Sequence, residues 1–319
     1  MNIEIRPIQT NDEYRAVEQL QREAWALTDL DVVPDHMMIT VQKNGGLLLG
    51  AFGHSDGTFG HSDGTFGPLP DGSGEQLVGF VFGFLGLSPD GRLKLCSHMA
   101  GVKPGYQNQN VGYRLKLAQR EHALARGIDL ITWTFDPLES RNAYLNFHKL
   151  GATCSTYLQD VYGEMRDGLN IGVPSDRFQV DWHIASAHVA GRLGGDRNRL
   201  TLSTLGCSLS ARADGVPILN HPLPGTPSDP RMSPFRWRGI RPHPPQTTMP
   251  LAGDRVLIQI PADFQAIKSA DMALARAWRM HTRALFETAF AAGYTVIDLL
   301  FEEGQSYYLL KKDWRPQER

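Results

Sequence analysis

Cysteine is scarce in this chain of 319 residues, which contains three cysteines far apart in the sequence. An odd number of widely spaced cysteines is neither a disulfide framework nor a zinc-binding pattern. It is typical of a protein in a reducing compartment. We therefore expect no metal site and a cytoplasmic location.

Long runs of one kind of residue are also missing. Lysine and arginine are dispersed and the formal net charge is -2, so the basic stripe typical of nucleic-acid-binding proteins is absent. No apolar stretch is long enough to cross a membrane. The charged, alternating N-terminus lacks the pattern of a signal peptide. We expect neither nucleic acid nor a membrane as partner, whereas a homodimer is compatible with the sequence.

The hydrophobic pattern predicts an α/β protein. Hydrophobic residues make up 41 % of the chain, which is enough for a sizeable core. Apolar periodicity over residues 3–150 predicts the order strand, helix, strand, strand, strand, helix, strand, helix. A strand that feeds a helix and returns to a strand implies a right-handed crossover and a parallel pair. The segment 53–59 is repeated at once as 60–66. We interpret the repeat as a lengthened hairpin loop rather than a metal site, because loop tips tolerate insertion.

The second half of the sequence changes character twice. Residues 215–250 hold half of the 20 prolines, which predicts an irregular connecting segment. A strand follows at 255–260, then a helix that begins at Asp271 and ends at Gly293, as a C-terminal cap would. Two further strands complete an αβ region that is either a degenerate second copy of the first core or an extension of its sheet.

The most informative stretch, residues 95–126, reads as a strand, a polar loop and a helix. Such a loop directs several backbone N–H groups at one point, and the helix dipole adds about half a positive charge there. This is a suitable site for a phosphate or pyrophosphate. Helices with polar N-terminal loops are common, so the pattern alone leaves an ordinary helix start open.

The loop itself makes a more specific match. Residues 102–112 read Val-x-Pro-x-Tyr-Gln-x-x-Asn-x-Gly, which resembles the acetyl-CoA pyrophosphate loop of GNAT N-acyltransferases. The resemblance implies that acyl-CoA is the co-substrate and that its binding residues are Ala100, Val102, Gln107, Asn108, Gln109, Asn110, Val111, Gly112 and Tyr113. Ala100 and Val102 would pair with the pantetheine arm. Asn110 stands where the family has glycine, and asparagine tolerates left-handed backbone conformations better than most residues.

A second match follows at the correct separation. Residues 142–152 resemble the family's second CoA motif. By this resemblance Asn142 would bond the pantetheine side, and Lys149 would face the CoA phosphates unless it is a solvated surface lysine. The family's acid, a tyrosine, is replaced by Phe147. Tyr144 lies about one helical turn earlier.

Residues 160–170 and 174–177 resemble a subgroup of long, predicted GNAT proteins with a C-terminal extension. The resemblance implies a GNAT fold: an α/β architecture whose mixed central sheet has splayed parallel strands and is flanked by helices. We expect a catalytic domain at 1–175, an irregular proline-rich segment at 176–250 and the αβ region at 251–319.

Residues for catalysis follow from the chemistry of acyl transfer. The N–H of Ala100 is the candidate to polarise the thioester carbonyl. His98 is predicted to share a strand face with Ala100 and Val102 and to act as the base, or to pack beside the cofactor without proton transfer. Asp136 would hold the acceptor's ammonium group or form a turn before a proline.

Two arginines and one cysteine complete the candidates. Arg166 and Arg177 would bind a substrate carboxylate, or pair at the surface with neighbouring aspartates. Cys96 is interpreted as a small apolar filler rather than an acyl-enzyme nucleophile.

The predicted function is transfer of an acyl group from acyl-CoA to a primary amine of a small molecule by direct attack in a ternary complex. Some relatives in the long subgroup resemble amino-acid N-succinyltransferases, so succinyl-CoA with an amino acid stands beside acetyl-CoA, the superfamily default. The alternative is a regulatory module that binds acyl-CoA without catalysis.

Overall fold

The computed structural model describes residues 3–25, 27–28, 30–54, 75–163, 172–195, 200–205, 219, 251–302 and 304–316. The chain divides into two compact units, Met1–Thr132 (unit 1) and Trp133–Arg319 (unit 2). This division lies inside a strand and differs from the predicted boundary at 175. The predictions for residues 55–66, for Arg166 and for almost all of 215–250 lie outside the described residues.

Unit 1 contains an antiparallel meander and the start of a parallel strand. Its strands are β1 (Ile3–Pro7), β2 (Leu47–His54), β3 (Glu75–Leu87), β4 (Leu93–Val102) and the first residues of β5 (Leu130–Phe135). Its helices are α1 (Asn11–Trp25), α2 (Asp35–Lys43) and α3 (Val111–Leu124). Strands β1 to β4 pair antiparallel in order, and β5 pairs parallel with β4. The parallel pair requires the α3 crossover, as the sequence predicts.

The two faces of this sheet are covered differently. Phe80 and Phe82 of β3 pack in a core with Val17 and Leu20 of α1 and Met38 of α2. The alternating residues of β3 on the other face include two glycines, and α3 lies directly over them. A Cβ atom at Gly79 would lie 3.0 Å from Val111 Cγ1, and one at Gly83 would lie 3.4 Å from Gln119 Nε2. The missing side chains therefore bring α3 close to the backbone of β3 and β4.

Strand β4 has an irregularity on one side and an early end to its pairing on the other. Phe82 is paired with Met99, but the next residue, Gly83, is paired with Ser97, so His98 is the extra residue of a β-bulge. The pairing with β5 covers only Leu95 with Ile131 and Cys96 with Thr132. Residues 97–102 of β4 lie past the last residue that is paired with β5, and the parallel pair in a mixed sheet is as predicted.

Unit 2 begins with the end of β5. It continues with α4 (Ser140–Ala143), a π-helix (Tyr144–Lys149), β6 (Thr153–Leu158), β7 (Arg177–His183), α5 (Ala187–Leu193), β8 (Arg255–Ile260), α6 (Phe264–Ala270), α7 (Met272–Ala291), β9 (Tyr294–Glu302) and β10 (Gln305–Lys312). The described strands of this unit pair in the order β7-β6-β9-β10-β8. The C-terminal strands thus extend the sheet of β6 and β7, which is one of the two alternatives predicted for this region.

Two predictions for unit 2 can be compared directly with its elements. Residues 177–193 form a strand and a helix, so the irregular segment does not begin at 176, and that part of the prediction is wrong. The prolines that suggested it start only at Pro217. The long helix is as predicted: the Asp271 side chain accepts a hydrogen bond from Leu274 N, and Gly293 follows the helix with φ +86°.

Candidate functional site

The loop after β4 has a backbone shape that its asparagines permit. Lys103 N donates to Val78 O (2.9 Å), and a single 3-10 turn follows at Pro104–Tyr106. Asn108 and Asn110 then adopt positive φ values of 65° and 61°. Asparagine is one of the few non-glycine residues that enters this region readily. The loop therefore has a left-handed residue at 110, where the GNAT resemblance has glycine.

The start of α3 is suited to an anion. Asn110 is its N-cap residue and makes no side-chain cap bond, and the first turn contains no acidic residue. The first N–H groups of a helix have no partner within it, and the dipole places about half a positive charge there. Residues 107–110 are exposed. The residues present therefore fit a phosphate group, and nothing in the first turn would repel one.

The remaining predicted loop residues support this shape or lie at the helix start. Gln107 Nε2 donates to Val102 O (3.4 Å) and Gln109 Nε2 donates to Gly105 O (3.3 Å), so both side chains hold the loop to itself. The first residues of α3 are less exposed than the loop: Val111 is buried, and Gly112 and Tyr113 are half-buried. Ala100 on β4 is exposed and Val102 is half-buried.

The bulge in β4 places His98 differently from the prediction. Its ring lies 6.0 Å from that of Phe82 and 5.9 Å from that of Phe84, both on the α1–α2 face of β3. Ala100 and Val102 are paired with Val81 and Gly79, which alternate with those phenylalanines. The expected common face of His98 with Ala100 and Val102 is therefore wrong, because one extra residue reverses the alternation.

The environment of His98 favours its neutral form. Burial of the ring against the two phenylalanines lowers its pKa from the ordinary value of 6.5, although the residue keeps an exposed side. An imidazole with a lowered pKa is neutral at pH 7 and is able to accept a proton. The role of His98 as the base stays a prediction.

In unit 2, Asp136 follows directly after β5 and is held from two sides. Its Oδ1 accepts a hydrogen bond from Leu138 N (2.8 Å), as in a turn, and its Oδ2 forms an ion pair with Arg279. Arg279 has no exposed surface, and Arg177 Nη1 lies 4.0 Å from the same oxygen. The turn-forming interpretation of Asp136 is supported. Its role toward an ammonium group stays a prediction.

Arg177 is not the surface residue that one alternative assumed. It is buried, its guanidinium carbon lies 5.3 Å from the centre of the Tyr162 ring, and its Nη1 donates to the backbone oxygen of Asp176. The Asp176 carboxylate instead accepts two bonds from Arg283, at 2.6 and 2.8 Å. The predicted surface pair between Arg177 and the Asp176 carboxylate is therefore wrong. Arg177 and Asp136 are brought together.

The second CoA motif forms a short helix that becomes a π-helix. Asn142 is exposed in α4 and Lys149 is half-buried at the end of the π-helix. Phe147 is fully buried, with its ring 5.9 Å from Phe135 and 5.7 Å from Tyr308. The position of the family's tyrosine is thus a core position in this chain.

Sequence reasoning missed a polar contact beneath β4. Lys116 and Gln119 of α3 are buried, and Lys116 Nζ lies 2.8 Å from Ser97 Oγ. A signal was present, since residue 119 follows Val111 and Leu115 at the four-residue spacing of a buried helix face. A polar side chain on such a face is informative, because buried polar groups need partners.

The fold and the loop together define a class of protein: an α/β protein with a mixed sheet, in which β4 runs through a loop with a left-handed asparagine into the start of α3. Among the described residues, no helix has the length and apolar character to span a bilayer, and no three His, Cys, Asp or Glu side chains are grouped as a metal ion would require.

Comparison with known proteins returned structures but no sequence family. No family profile and no curated protein matches the sequence. The chain is similar to the ribosomal-protein-S18-alanine N-acetyltransferase from Escherichia coli (13 % identity, 58 % of this chain, 96 % of that chain, TM-score 0.41). It is also similar to Arabidopsis thaliana NAA60 in complex with a bisubstrate analogue (14 % identity, 57 % of this chain, 98 % of that chain, TM-score 0.40). A third similar structure is that of an acetyltransferase of the GNAT family from Streptococcus pneumoniae (16 % identity, 56 % of this chain, 98 % of that chain, TM-score 0.39).

Proposed function

We propose that this protein is an acyl-CoA-dependent N-acyltransferase of the GNAT type. The observation that carries the proposal is the loop in which left-handed Asn110 opens α3 directly after the splayed part of β4. Backbone N–H groups at the start of α3 would hold the CoA diphosphate. The β4 edge at residues 97–102 would receive the pantetheine arm, with the N–H of Ala100 toward the thioester oxygen.

We assign the acceptor side to predicted residues of each unit, each argued from its own surroundings. His98, neutral at pH 7, would take the proton that the acceptor's ammonium group must lose before the amine attacks. Asp136 keeps its predicted role toward an ammonium group, since a carboxylate already bound to Arg279 still has lone pairs for a second cation. Arg177 would bind a carboxylate of the acceptor. Arg166 has the same proposed role, because its guanidinium matches a carboxylate equally well.

These assignments favour a small acceptor that carries both an amine and a carboxylate, which is the chemistry of an amino acid. The acyl group is acetyl or succinyl. Asn142 and Lys149 are assigned to the CoA side by the same resemblance. A thioester is already activated, so positioning supplies most of the rate enhancement and direct attack in a ternary complex suffices.

One observation favours a second candidate function, binding of acyl-CoA without catalysis. The family's acid position is Phe147, which is buried in an aromatic cluster. A phenylalanine side chain has no acidic proton, so it cannot reprotonate the leaving thiolate. The second candidate is therefore a regulatory module that reports acyl-CoA levels.

A panel experiment separates the two. Acetyl-CoA and succinyl-CoA are each mixed with L- and D-amino acids and with a peptide bearing a free N-terminus, and the release of free CoA thiol and the product mass are measured. Acyl-CoA should raise the melting temperature in either case, because it binds the folded state. Thiol release with an amino acid supports the enzyme. A raised melting temperature with no thiol release from any amine supports the binding module. If acyl-CoA neither raises the melting temperature nor releases thiol with any amine, both candidate functions are refuted.

A further inference from the structure

A lysine lies in the interior of unit 1 directly beneath the bulge of β4. Lys116 is 5 % exposed, and its Nζ lies 2.8 Å from Ser97 Oγ and 3.2 Å from Gln119 Oε1. Ser97 is also 5 % exposed, and Gln119 has no exposed surface. Burial lowers the pKa of Lys116 to about 7, well below the 10.5 of a lysine in water, because the charged form loses its hydration.

The buried hydrogen bond between Lys116 and Ser97 is less favourable than apolar packing at the same position, because a buried amine loses its hydration. The other buried residues of α3 are Val111, Leu115, Gln119 and Ala123, so a leucine or methionine at 116 would leave Gln119 as the one buried polar side chain of this helix. Replacing buried polar groups by apolar residues of similar volume is often neutral or stabilising. A buried polar contact that stability does not require is best attested as a device that selects one register over its alternatives.

The register that this contact could select is the one between β3 and β4, in which the bulge lies at His98. Ser97 is the last residue of β4 in register before His98, which has no partner on β3. The backbones are close here, since a Cβ atom at Gly83 would lie 2.9 Å from Cys96 O. If the extra residue moved by one position, His98 would exchange faces with its neighbour. An anchor at Ser97 opposes that slip.

We propose that Lys116 is a positioning residue, which fixes the β4 bulge at His98 through its hydrogen bond to Ser97. The bulge directs the His98 ring to the α1–α2 face while Ala100 and Val102 keep the α3 face. Lys116 thereby fixes the direction of the His98 ring relative to the strand edge that would receive the pantetheine arm. This inference rests on the proposed function for its effect on catalysis, but not for its effect on the bulge.

A double-mutant cycle tests the inference through turnover. Lys116→Met removes the donor at similar volume, and Ser97→Ala removes the acceptor. Each should lower kcat roughly ten- to hundredfold, the loss that a small misplacement of a catalytic group produces. The KM for acyl-CoA should stay within about twofold, and the melting temperature should fall more in Ser97→Ala, which deprives a buried amine of one acceptor, than in Lys116→Met. Because both act through one bond, the double variant should lose no more than either single variant.

The matched control is Lys268→Met, which removes the other buried lysine among the described residues, 8 % exposed and located on α6 of unit 2. Its kcat should equal that of the wild type. Unchanged kcat in Lys116→Met, equal losses in Lys116→Met and Lys268→Met, or additive losses in the double variant would each overturn the inference.

A second measurement keeps the inference testable if the protein has no transferase activity. The imidazole signals of His98, assigned by NMR with a His98→Asn variant, report the position of the ring against Phe82 and Phe84. Lys116→Met and Ser97→Ala should both shift these signals, whereas Lys268→Met should not. His98 signals that stay in place in the first two variants would refute the anchoring role, whatever the activity assay shows.

Discussion

Replacing Asn110 with aspartate tests the proposed diphosphate site while leaving the loop shape intact. Aspartate enters the left-handed region nearly as readily as asparagine. It is also an equally good N-cap residue, and its charge interacts favourably with the helix dipole. The stability of the variant should therefore equal or exceed that of the wild type. Only the electrostatic environment of a bound anion changes.

The size of the effect follows from Coulomb's law. One added negative charge at about 6 Å from a phosphate, with an effective dielectric constant of about 40 for an exposed loop, costs 332/(40 × 6), or about 1.4 kcal/mol. That energy corresponds to a roughly tenfold weaker Kd. Raising the salt concentration should reduce the difference between variant and wild type, because the loop is exposed.

The assay is isothermal titration of acetyl-CoA and of dephosphorylated pantetheine, with the melting temperature measured in parallel. The matched control is Asn11→Asp, which makes the same change in the first residue of α1 in the same unit. The control should bind acetyl-CoA as the wild type does. If Asn110→Asp binds acetyl-CoA with unchanged Kd while remaining folded, the diphosphate does not lie at the start of α3 and the reasoning fails.

Three further predictions concern groups described above. His98→Ala should lower kcat/KM by ~10²-fold or more. It should also remove the acid limb of the wild-type pH profile, whose midpoint should lie below 6.5 because burial lowers the pKa of His98. An acid limb that persists in the variant would reject His98 as the base. Asp136→Asn should destabilise unit 2 by about 3 kcal/mol in urea unfolding, because it removes the ion-pair partner of fully buried Arg279 and leaves only the weaker attraction of Asp176. Adding Arg279→Met should restore part of the loss. Equal stability of the single variant and the wild type would show that the pair is not needed. The lowered pKa of Lys116, about 7 in the folded chain against 10.5 unfolded, means that the unfolded state binds more protons between these values; wild-type stability should therefore rise from pH 7 toward pH 9 more steeply than that of Lys116→Met, and parallel curves would contradict the burial of a neutral amine.

Local features of the functional loop could be predicted from the sequence. The strand, the polar loop and α3 depend on apolar periodicity and on residues within one turn of each other. The left-handed conformation of Asn110 also follows from its residue type. The same holds for the start of α7 at Asp271 and its end at Gly293, because capping is an interaction between near neighbours.

Features that depend on pairs distant in sequence could not be predicted in this way. The bulge at His98 is a property of the register between β3 and β4, and a single residue of slip reverses the face of the ring. The ion pair of Asp136 joins residues 143 positions apart. Lys116 is an ordinary helix residue by propensity, and only packing against Ser97 and Gln119 makes it a buried one.

The sequence by itself therefore determined the shape of the loop between β4 and α3, since a strand end, a left-handed asparagine and a helix start are set by neighbouring residues. The tertiary structure alone decided which side chains face the two sides of β4 and which charges are neutralised. Those properties depend on the register between strands and on burial, and both arise only when distant segments pack together.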